Sequence, residues 1–318
     1  MLEYILFAIG FVLLVKGADY LVEGASIIAT RLGIPQLIIG LTVVAFGTSM
    51  PELVVAIISS LEGSPEIVLG NVIGSNISNI LLILGISAII HEIKIKDSTI
   101  WKEIPFSLLA TLLLLAFVNN GSGGQTLSFY DGLAMLAVFS IFIYYTFSEA
   151  MSCKKKKCKD DIMEIEKSEF YRAIGMILLG LVGLFLGGKW VVDGAVSIAT
   201  QLGLSQFLMS ATIIAIGTSL PELAVAVVAS MKKKVDMAIG NVIGSNIFNI
   251  LLVLGTTSLI SPIAVQPFIT ADITFLIYMT CLLFGLVYIN KKKELGRFSG
   301  FFFVLLYIAY IIFLISRG

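Results

Sequence analysis

Residues 47–53 read GTSMPEL, inside a stretch otherwise so apolar that a lipid bilayer is its natural surroundings. A near copy, GTSLPEL, returns at residues 217–223. The chain of 318 residues is 58% hydrophobic and 13% charged, and its mean hydropathy is +1.02. These values lie far outside the range of soluble domains, so we predict an all-α polytopic membrane protein. A β-barrel would instead show alternation over about ten residues.

Apolar runs recur along nearly the whole chain, and each is long enough to cross a hydrocarbon core of ~30 Å as a helix. Breaking them at their polar, Gly and Pro positions predicts about ten transmembrane helices. The predicted spans are 2–30, 36–61, 66–90, 102–119, 128–150, 170–200, 206–231, 236–260, 268–290 and 298–316.

The chain is a duplication. Segments 17–87 and 187–257 align without a gap, an offset of 187 − 17 = 170 residues, and about half of their positions are identical. Chance similarity between apolar helices would match leucines, whereas here Gly, Asn, Ser, Pro and Glu match. We therefore predict a first five-helix repeat (1–150, motif region 40–87), a linker (151–169) and a second five-helix repeat (170–318, motif region 210–257).

The distribution of Lys and Arg predicts the orientation of the chain in the cell membrane. If the linker is cytoplasmic, nearly all basic residues lie inside, and only Arg317 lies outside. Both termini are then extracellular, and an odd number of spans per half makes the repeats inverted, as in many secondary transporters. The formal net charge is zero, so nothing favours nucleic acid as a partner. We predict no cofactor and no required protein partner, hence a monomer in the bilayer.

The residues around each acid supply oxygen ligands. In a helix, Thr48 and Ser49 precede Glu52 by four and three residues, so hydroxyls and carboxylate share one face. Pro51 has no N–H, so it bends the helix and frees a carbonyl that needs another partner in lipid. Carboxylate, hydroxyl and carbonyl oxygens gathered at one bend are ligands for a hard cation such as Ca²⁺ or Na⁺, and no soft ligand accompanies them.

The second motif repeats this chemistry with Thr218, Ser219 and Glu222. Pairs of Ser and Asn four residues apart add oxygens on one helix face: Ser75 with Asn79, and Ser245 with Asn249. Two acids balance the charge of one Ca²⁺, and several Na⁺ could occupy the same oxygens instead. Such competition is the physical basis of ion exchange, and inverted repeats supply alternating access to a midplane site.

Structural roles are the alternatives for these residues. Placing a carboxylate in the bilayer centre costs about 2.5–3.5 kcal/mol on insertion scales. Because of this cost, we favour a functional role over a structural one for Glu52 and Glu222. A lone hydrogen-bonded acid would also not explain why Pro and both hydroxyls recur beside each acid. For four other amides the alternative is inter-helix hydrogen bonding that holds the break: Asn71, Asn76, Asn241 and Asn246. Lys16, Asp19 and Glu23 are spaced to pair locally along one helix, and we favour local pairing or snorkelling over ion binding.

The paired GTS-x-PEL motifs, with GNVIGSNISNI and GNVIGSNIFNI, resemble the α-repeats of the sodium/calcium exchangers in the cation/Ca²⁺ antiporter superfamily, compact prokaryotic type. The resemblance implies a core of spans two, three, seven and eight, across which the long spans one and six slide. It implies electrogenic exchange of Na⁺ for Ca²⁺. A proton/calcium antiporter on the same scaffold is the alternative.

The resemblance also assigns residues. Glu52 and Glu222 would be the central carboxylates, and the carbonyls of Thr48 and Thr218 would complete a Ca²⁺ site. The residues around the Na⁺ sites would be Ala45, Ser49, Ser75, Ala215, Ser219 and Ser245, with Asn79 and Asn249 beside the middle site. Some family members, including potassium-dependent ones, carry Asp at the position of Asn249, so K⁺ coupling is disfavoured here.

Two other classes fit the sequence less well. A cation channel generally builds its filter from rings of subunits or re-entrant carbonyl loops, and an inverted duplication does not suggest either. An intramembrane enzyme would need catalytic machinery, but the chain has one histidine, His91, and no Ser/His or zinc-binding arrangement.

Overall fold

The computed structural model describes residues 2–63, 66–119, 126–157, 167–201, 215–266 and 268–317. This part of the chain is helical except for short turns and four two-residue strands. The helices are α1 (Leu2–Leu32), α2 (Gln36–Thr48), α3 (Met50–Leu61), α4 (66–90), α5 (Thr99–Asn119), α6 (Phe129–Lys157), α7 (Lys167–Gln201), α8 (Ala215–Thr218), α9 (Leu220–Met231), α10 (Val235–Ile260), α11 (Ile269–Ile289) and α12 (Arg297–Arg317). The strands are β1 (Ile93–Lys94), β2 (Thr126–Leu127), β3 (Ile263–Ala264) and β4 (Glu294–Leu295).

Within these residues, eight helices are long and apolar enough to cross a membrane, and the bent pair α2–α3 makes a ninth span if counted as one. The polytopic all-α class is therefore confirmed. The predicted span 206–231 begins in residues 202–214, which lie outside the described residues, so the count of ten stays a prediction. Helices extend into both ends of the predicted linker 151–169, because α6 continues to Lys157 and α7 begins at Lys167.

The helix breaks predicted at the two motifs are present. Ser49 has φ −85° and ψ 3°, and Pro51 follows in the first turn of α3, so α2 and α3 meet at an angle of 40°. Ser219 has the same geometry between α8 and α9, with φ −88° and ψ 6°. A ψ near zero departs from the helical value, and the chain therefore changes direction next to each acid.

Glycines on both long helices bring α1 and α7 into close antiparallel contact. A Cβ at Gly10 would lie 3.0 Å from the Gly187 carbonyl oxygen, and one at Gly17 would lie 2.8 Å from that of Gly180. A Cβ at Gly24 would lie 2.7 Å from the Ala173 carbonyl oxygen. Because partners on α7 come earlier as α1 advances, the two helices run in opposite directions, and glycine permits the backbone approach.

Two antiparallel ribbons link the halves of the chain. β1 pairs with β4, and β2 pairs with β3. Helix α5 runs from β1 to β2, whereas α11 runs from β3 to β4. Each helix therefore joins the same two ribbons in the opposite direction, and at 21 residues each is about as long as a bilayer core is thick. Corresponding helices of the two halves are thus antiparallel here, as an inverted repeat requires.

Helices α4 and α10 form the centre of the molecule. In their most apolar windows, 72% and 94% of the residues are buried, against 33% for α1 and 22% for α12. Both contain a π-helical turn, at Asn79–Ile83 in α4 and at Phe248–Leu254 in α10. Such turns are rare and occur often at functional sites.

Candidate ion site at the helix breaks

The two acids of the repeated motifs lie at the centre of the molecule, each just after a helix break. Glu52 on α3 and Glu222 on α9 are both fully buried. Ser49, three residues before Glu52, donates a hydrogen bond to Glu222 at 3.2 Å, so the two acids are near neighbours. Two carboxylates together inside a membrane protein are costly unless cations or protons balance them.

The surroundings of Glu222 come from both halves of the chain. Its Oε1 accepts a hydrogen bond from Ser49 at 3.2 Å and one from Ser245 at 3.4 Å. The expectation that Ser49 shares a face with Glu52 stays a prediction, because the contact seen for this hydroxyl is with the other acid. Ser49 is the N-cap residue of the helix that carries Glu52, at the point where the backbone changes direction. The break points this hydroxyl at the acid of the other repeat.

Each motif threonine contacts an asparagine of the opposite half. The Thr48 hydroxyl donates to Asn241 Oδ1 at 3.1 Å and lies 3.4 Å from Ser245 Oγ. In the repeat-related position, the Thr218 hydroxyl donates to Asn71 Oδ1 at 3.2 Å and lies 3.5 Å from Ser75 Oγ. These contacts are inter-helix hydrogen bonds at the break, which is the role that the sequence offered as the alternative for Asn71 and Asn241.

The structure describes the surroundings of Ala45 but not those of the Ala215 side chain. Ala45 is buried at the end of the π turn of α2, and its carbonyl accepts from the Thr48 hydroxyl at 3.3 Å and from the Ser49 N–H at 3.0 Å. A cation at that carbonyl would compete with the Thr48 hydroxyl, because a carbonyl oxygen has two lone pairs. Ala215 is the first residue of α8, and its side chain lies outside what the structure describes.

Several buried oxygens at this site lack a hydrogen-bond partner among the described residues. They are both carboxylate oxygens of Glu52, Oε2 of Glu222, Oγ of Ser219, and Oδ1 of Asn79 and Asn249. Leaving a buried polar atom unsatisfied costs about 1–3 kcal/mol, and more for a charged group. Oxygens gathered in this way are the ligands of a hard cation.

The site lacks the composition of a zinc or iron centre. In the ranges that the structure describes, no three His, Cys, Asp or Glu residues come together. The oxygens present belong to two acids, hydroxyls, amides and carbonyls. This set suits an ion that binds and leaves better than one held permanently.

Sequence reasoning missed an ion-pair cluster between α1 and the end of α9. Lys232 lies 2.6 Å from Asp19 and 3.1 Å from Glu23, and Lys234 lies 3.4 Å from Glu23. Of the two predicted roles, local pairing or snorkelling, the local pairing of Asp19 and Glu23 along α1 is therefore wrong, because their partners lie in the turn after α9. Burial alone would lower the pKa of Lys232, but its hydrogen bonds to both acids raise the pKa above its ordinary value.

Comparison with known proteins shows the family of the chain. The family model described as sodium/calcium exchanger protein matches residues 2–148 and 172–316. The putative antiporter CaxA of Alkalimonas amylolytica is 36% identical, with 97% of each chain covered. The sodium/calcium exchanger MaX1 of Methanosarcina acetivorans is 30% identical, with 98% of each covered.

The fold has a solved counterpart. A structure of the sodium-calcium exchanger NCX_Mj soaked with zero Na⁺ and Ca²⁺ superposes with a TM-score of 0.83 and 32% identity. The match covers 98% of this chain and 99% of that one. With the two repeated acid motifs, the paired helix breaks and these matches together, the chain belongs to the sodium/calcium exchanger protein family.

Proposed function

We propose that this protein exchanges Na⁺ for Ca²⁺ across the cell membrane, by alternating access at a midplane site built on Glu52 and Glu222. The observation that carries the proposal is the cluster of buried oxygens without partners around these two acids. A protein interior does not ordinarily leave such atoms unsatisfied, and Na⁺ and Ca²⁺ both bind through oxygen. The relatives named as sodium/calcium exchangers favour the same pair of ions.

The charge of the site suits exchange. Two carboxylates balance one Ca²⁺, and Na⁺ ions bound through the same oxygens would exclude it. Exchange of three or more Na⁺ for one Ca²⁺ moves net charge, so transport at such a ratio is electrogenic. We assign the Ca²⁺ ligands to the two acids and the carbonyls of Thr48 and Thr218. Na⁺ would bind around Ser49, Ser75, Ser219, Ser245, Ala45 and Ala215, with Asn79 and Asn249 beside the middle position.

Alternating access would come from two inverted five-helix repeats, with both termini extracellular and the linker cytoplasmic. Helices α1 and α7 pack on one another over their length, whereas α4 and α10 form the buried centre. Movement of the α1–α7 pair across this centre would open the site to each side in turn. The proposed unit is one chain, since both acids come from the same polypeptide.

Proton/calcium antiport on the same two acids is the second candidate. Neither carboxylate oxygen of Glu52 has a partner among the described residues, so a proton could replace a cation there. Asn249 stands where some members of the family carry Asp. Its amide does not take up a proton, so this position favours sodium coupling.

The test is ⁴⁵Ca²⁺ uptake into proteoliposomes loaded with Na⁺, compared with vesicles loaded with K⁺ or choline. We expect uptake only with internal Na⁺, accelerated by an inside-positive potential. A second arm imposes an acidic interior without Na⁺. Uptake in that arm alone would replace sodium coupling with proton coupling, and uptake that needs neither gradient would overturn antiport.

A further inference from the structure

Four asparagines form a hydrogen-bond network where α4 crosses α10. All four are buried, with exposed fractions between 0% and 2%. The Asn76 amide nitrogen donates to the backbone carbonyl of Asn246 at 3.1 Å, and the Asn246 amide nitrogen donates to that of Asn76 at 3.4 Å. The two residues occupy repeat-related positions, so each helix holds the other reciprocally.

These reciprocal bonds determine which way each amide points. A backbone carbonyl only accepts, so the atom of Asn76 or Asn246 that faces it must be the nitrogen. Their side-chain oxygens are then left as acceptors. The Asn79 amide nitrogen donates to Asn246 Oδ1 at 2.9 Å, and the Asn249 amide nitrogen donates to Asn76 Oδ1 at 3.1 Å.

The network ends in two free oxygens. With their nitrogens engaged, Asn79 and Asn249 present Oδ1 atoms that are buried and have no partner in the described part of the chain. Each lies one helical turn after Ser75 or Ser245, on the same face. Ser245 in turn donates to Glu222 at 3.4 Å. A reversed amide would instead turn N–H groups, which carry positive partial charge, toward the cation.

We propose that Asn76 and Asn246 are positioning residues that fix the amides of Asn249 and Asn79 with their oxygens toward the transported ion. This inference rests on the proposed function, because it assumes that a cation binds at these oxygens. Supporting groups around a metal ligand commonly change affinity by about 10- to 100-fold when removed. Neither residue touches the ion itself.

The test measures equilibrium binding of ⁴⁵Ca²⁺ to the purified full chain in detergent, and the Na⁺ concentration that displaces it. We expect Asn246→Ala to raise that Na⁺ concentration about tenfold in the natural background, but less than about twofold in a chain that already carries Asn79→Ala. Asn76→Ala with Asn249→Ala repeats the cycle in the other half, should one variant fold poorly. Thr257→Val is the matched control, because it also removes a buried hydrogen bond on α10, from its hydroxyl to the Val253 carbonyl.

The outcomes separate this inference from the function on which it rests. An equal rise in the displacing Na⁺ concentration with and without Asn79 would show that Asn246 supports the fold only, and would overturn the inference. So would an unchanged displacing Na⁺ concentration in Asn246→Ala. Glu52→Gln and Glu222→Gln test the site itself in the same assay: if they retain full Ca²⁺ binding, the proposed ion site fails regardless of the asparagines.

Discussion

The two repeats carry nearly the same sequence around their acids, yet the structure packs them differently. Val225 on α9 is fully buried, whereas Val55 at the equivalent position of α3 is 38% exposed. One turn further, Val228 is half-buried and Ile58 is 48% exposed. Because Val55 and Val225 are the same residue type in the same local motif, the difference arises from their neighbours and not from their own helices.

Ion pairs differ in the same direction. Asp19 and Glu23 on α1 bind Lys232 and Lys234 after α9. At the repeat-related positions, Lys189 on α7 and Glu62 after α3 have opposite charges, but no ion pair joins them in the described structure. Ion pairs therefore join the helices at one of the two repeat-related places, and none is present at the other among the described residues. An inverted repeat permits the reverse arrangement, in which the second pair forms and the first separates.

The largest expected effect comes from removing the charge of either acid. This experiment tests whether the two acids act as one site although their surroundings differ. Glu52→Gln and Glu222→Gln should each reduce Na⁺-dependent ⁴⁵Ca²⁺ uptake by more than about 100-fold, since either change removes one of the two charges that balance Ca²⁺. The control is Glu103→Gln, a buried acid on α5 that accepts a hydrogen bond from Tyr145 at 2.6 Å. It should retain most of the uptake.

Unequal losses would break the comparison. If Glu222→Gln abolished uptake and Glu52→Gln did not, the acid with two hydroxyl partners would be the ion ligand and the other a structural group.

The next effect concerns a region where the halves are alike. Gly17→Ala would place a Cβ 2.8 Å from the Gly180 carbonyl oxygen, and Gly187→Ala would place one 2.8 Å from that of Gly10. Both contacts are with backbone, which cannot move aside, so each variant should lose about 1–3 kcal/mol of stability. We expect similar falls in the apparent melting temperature in detergent. Gly175→Ala, with no described atom within 4 Å of its Cβ, should change little.

A large difference between the Gly17 and Gly187 variants would mean that the α1–α7 contact is itself asymmetric. The contrast between the two sides of the site would then extend along the long helices as well.

Local signals predicted the fold well. Pro51 and its repeat at Pro221 mark each helix break, because a residue without an N–H acts on its own helix. Long-range partners could not be predicted. The Lys232 to Glu23 bond joins residues 209 positions apart, and nothing in the local sequence of either residue indicates its partner. The strands have two residues each, too few for an alternating pattern to appear.

The smallest expected effect addresses the ion pairs that make the two sides unequal. Lys232→Ala with Lys234→Ala should favour the reverse arrangement by about two- to thirtyfold, since the two partly exposed ion pairs contribute about 0.2–1 kcal/mol each. The measurement is labelling of a cysteine at position 225 by a membrane-impermeant thiol reagent, in a chain whose three natural cysteines are replaced. Val225 is fully buried, so labelling should be slow in the parent and faster in the double variant.

Glu62→Gln is the matched control, because it removes the charge that would stabilise the reverse arrangement and should slow labelling instead. A fourfold variant restores the pairs with their charges exchanged and should return labelling to the parental rate. It combines Asp19→Lys and Glu23→Lys with Lys232→Glu and Lys234→Glu. If the exchanged pairs do not restore it, the lysines act through topology or folding, and the asymmetry between the halves must come from helix packing alone.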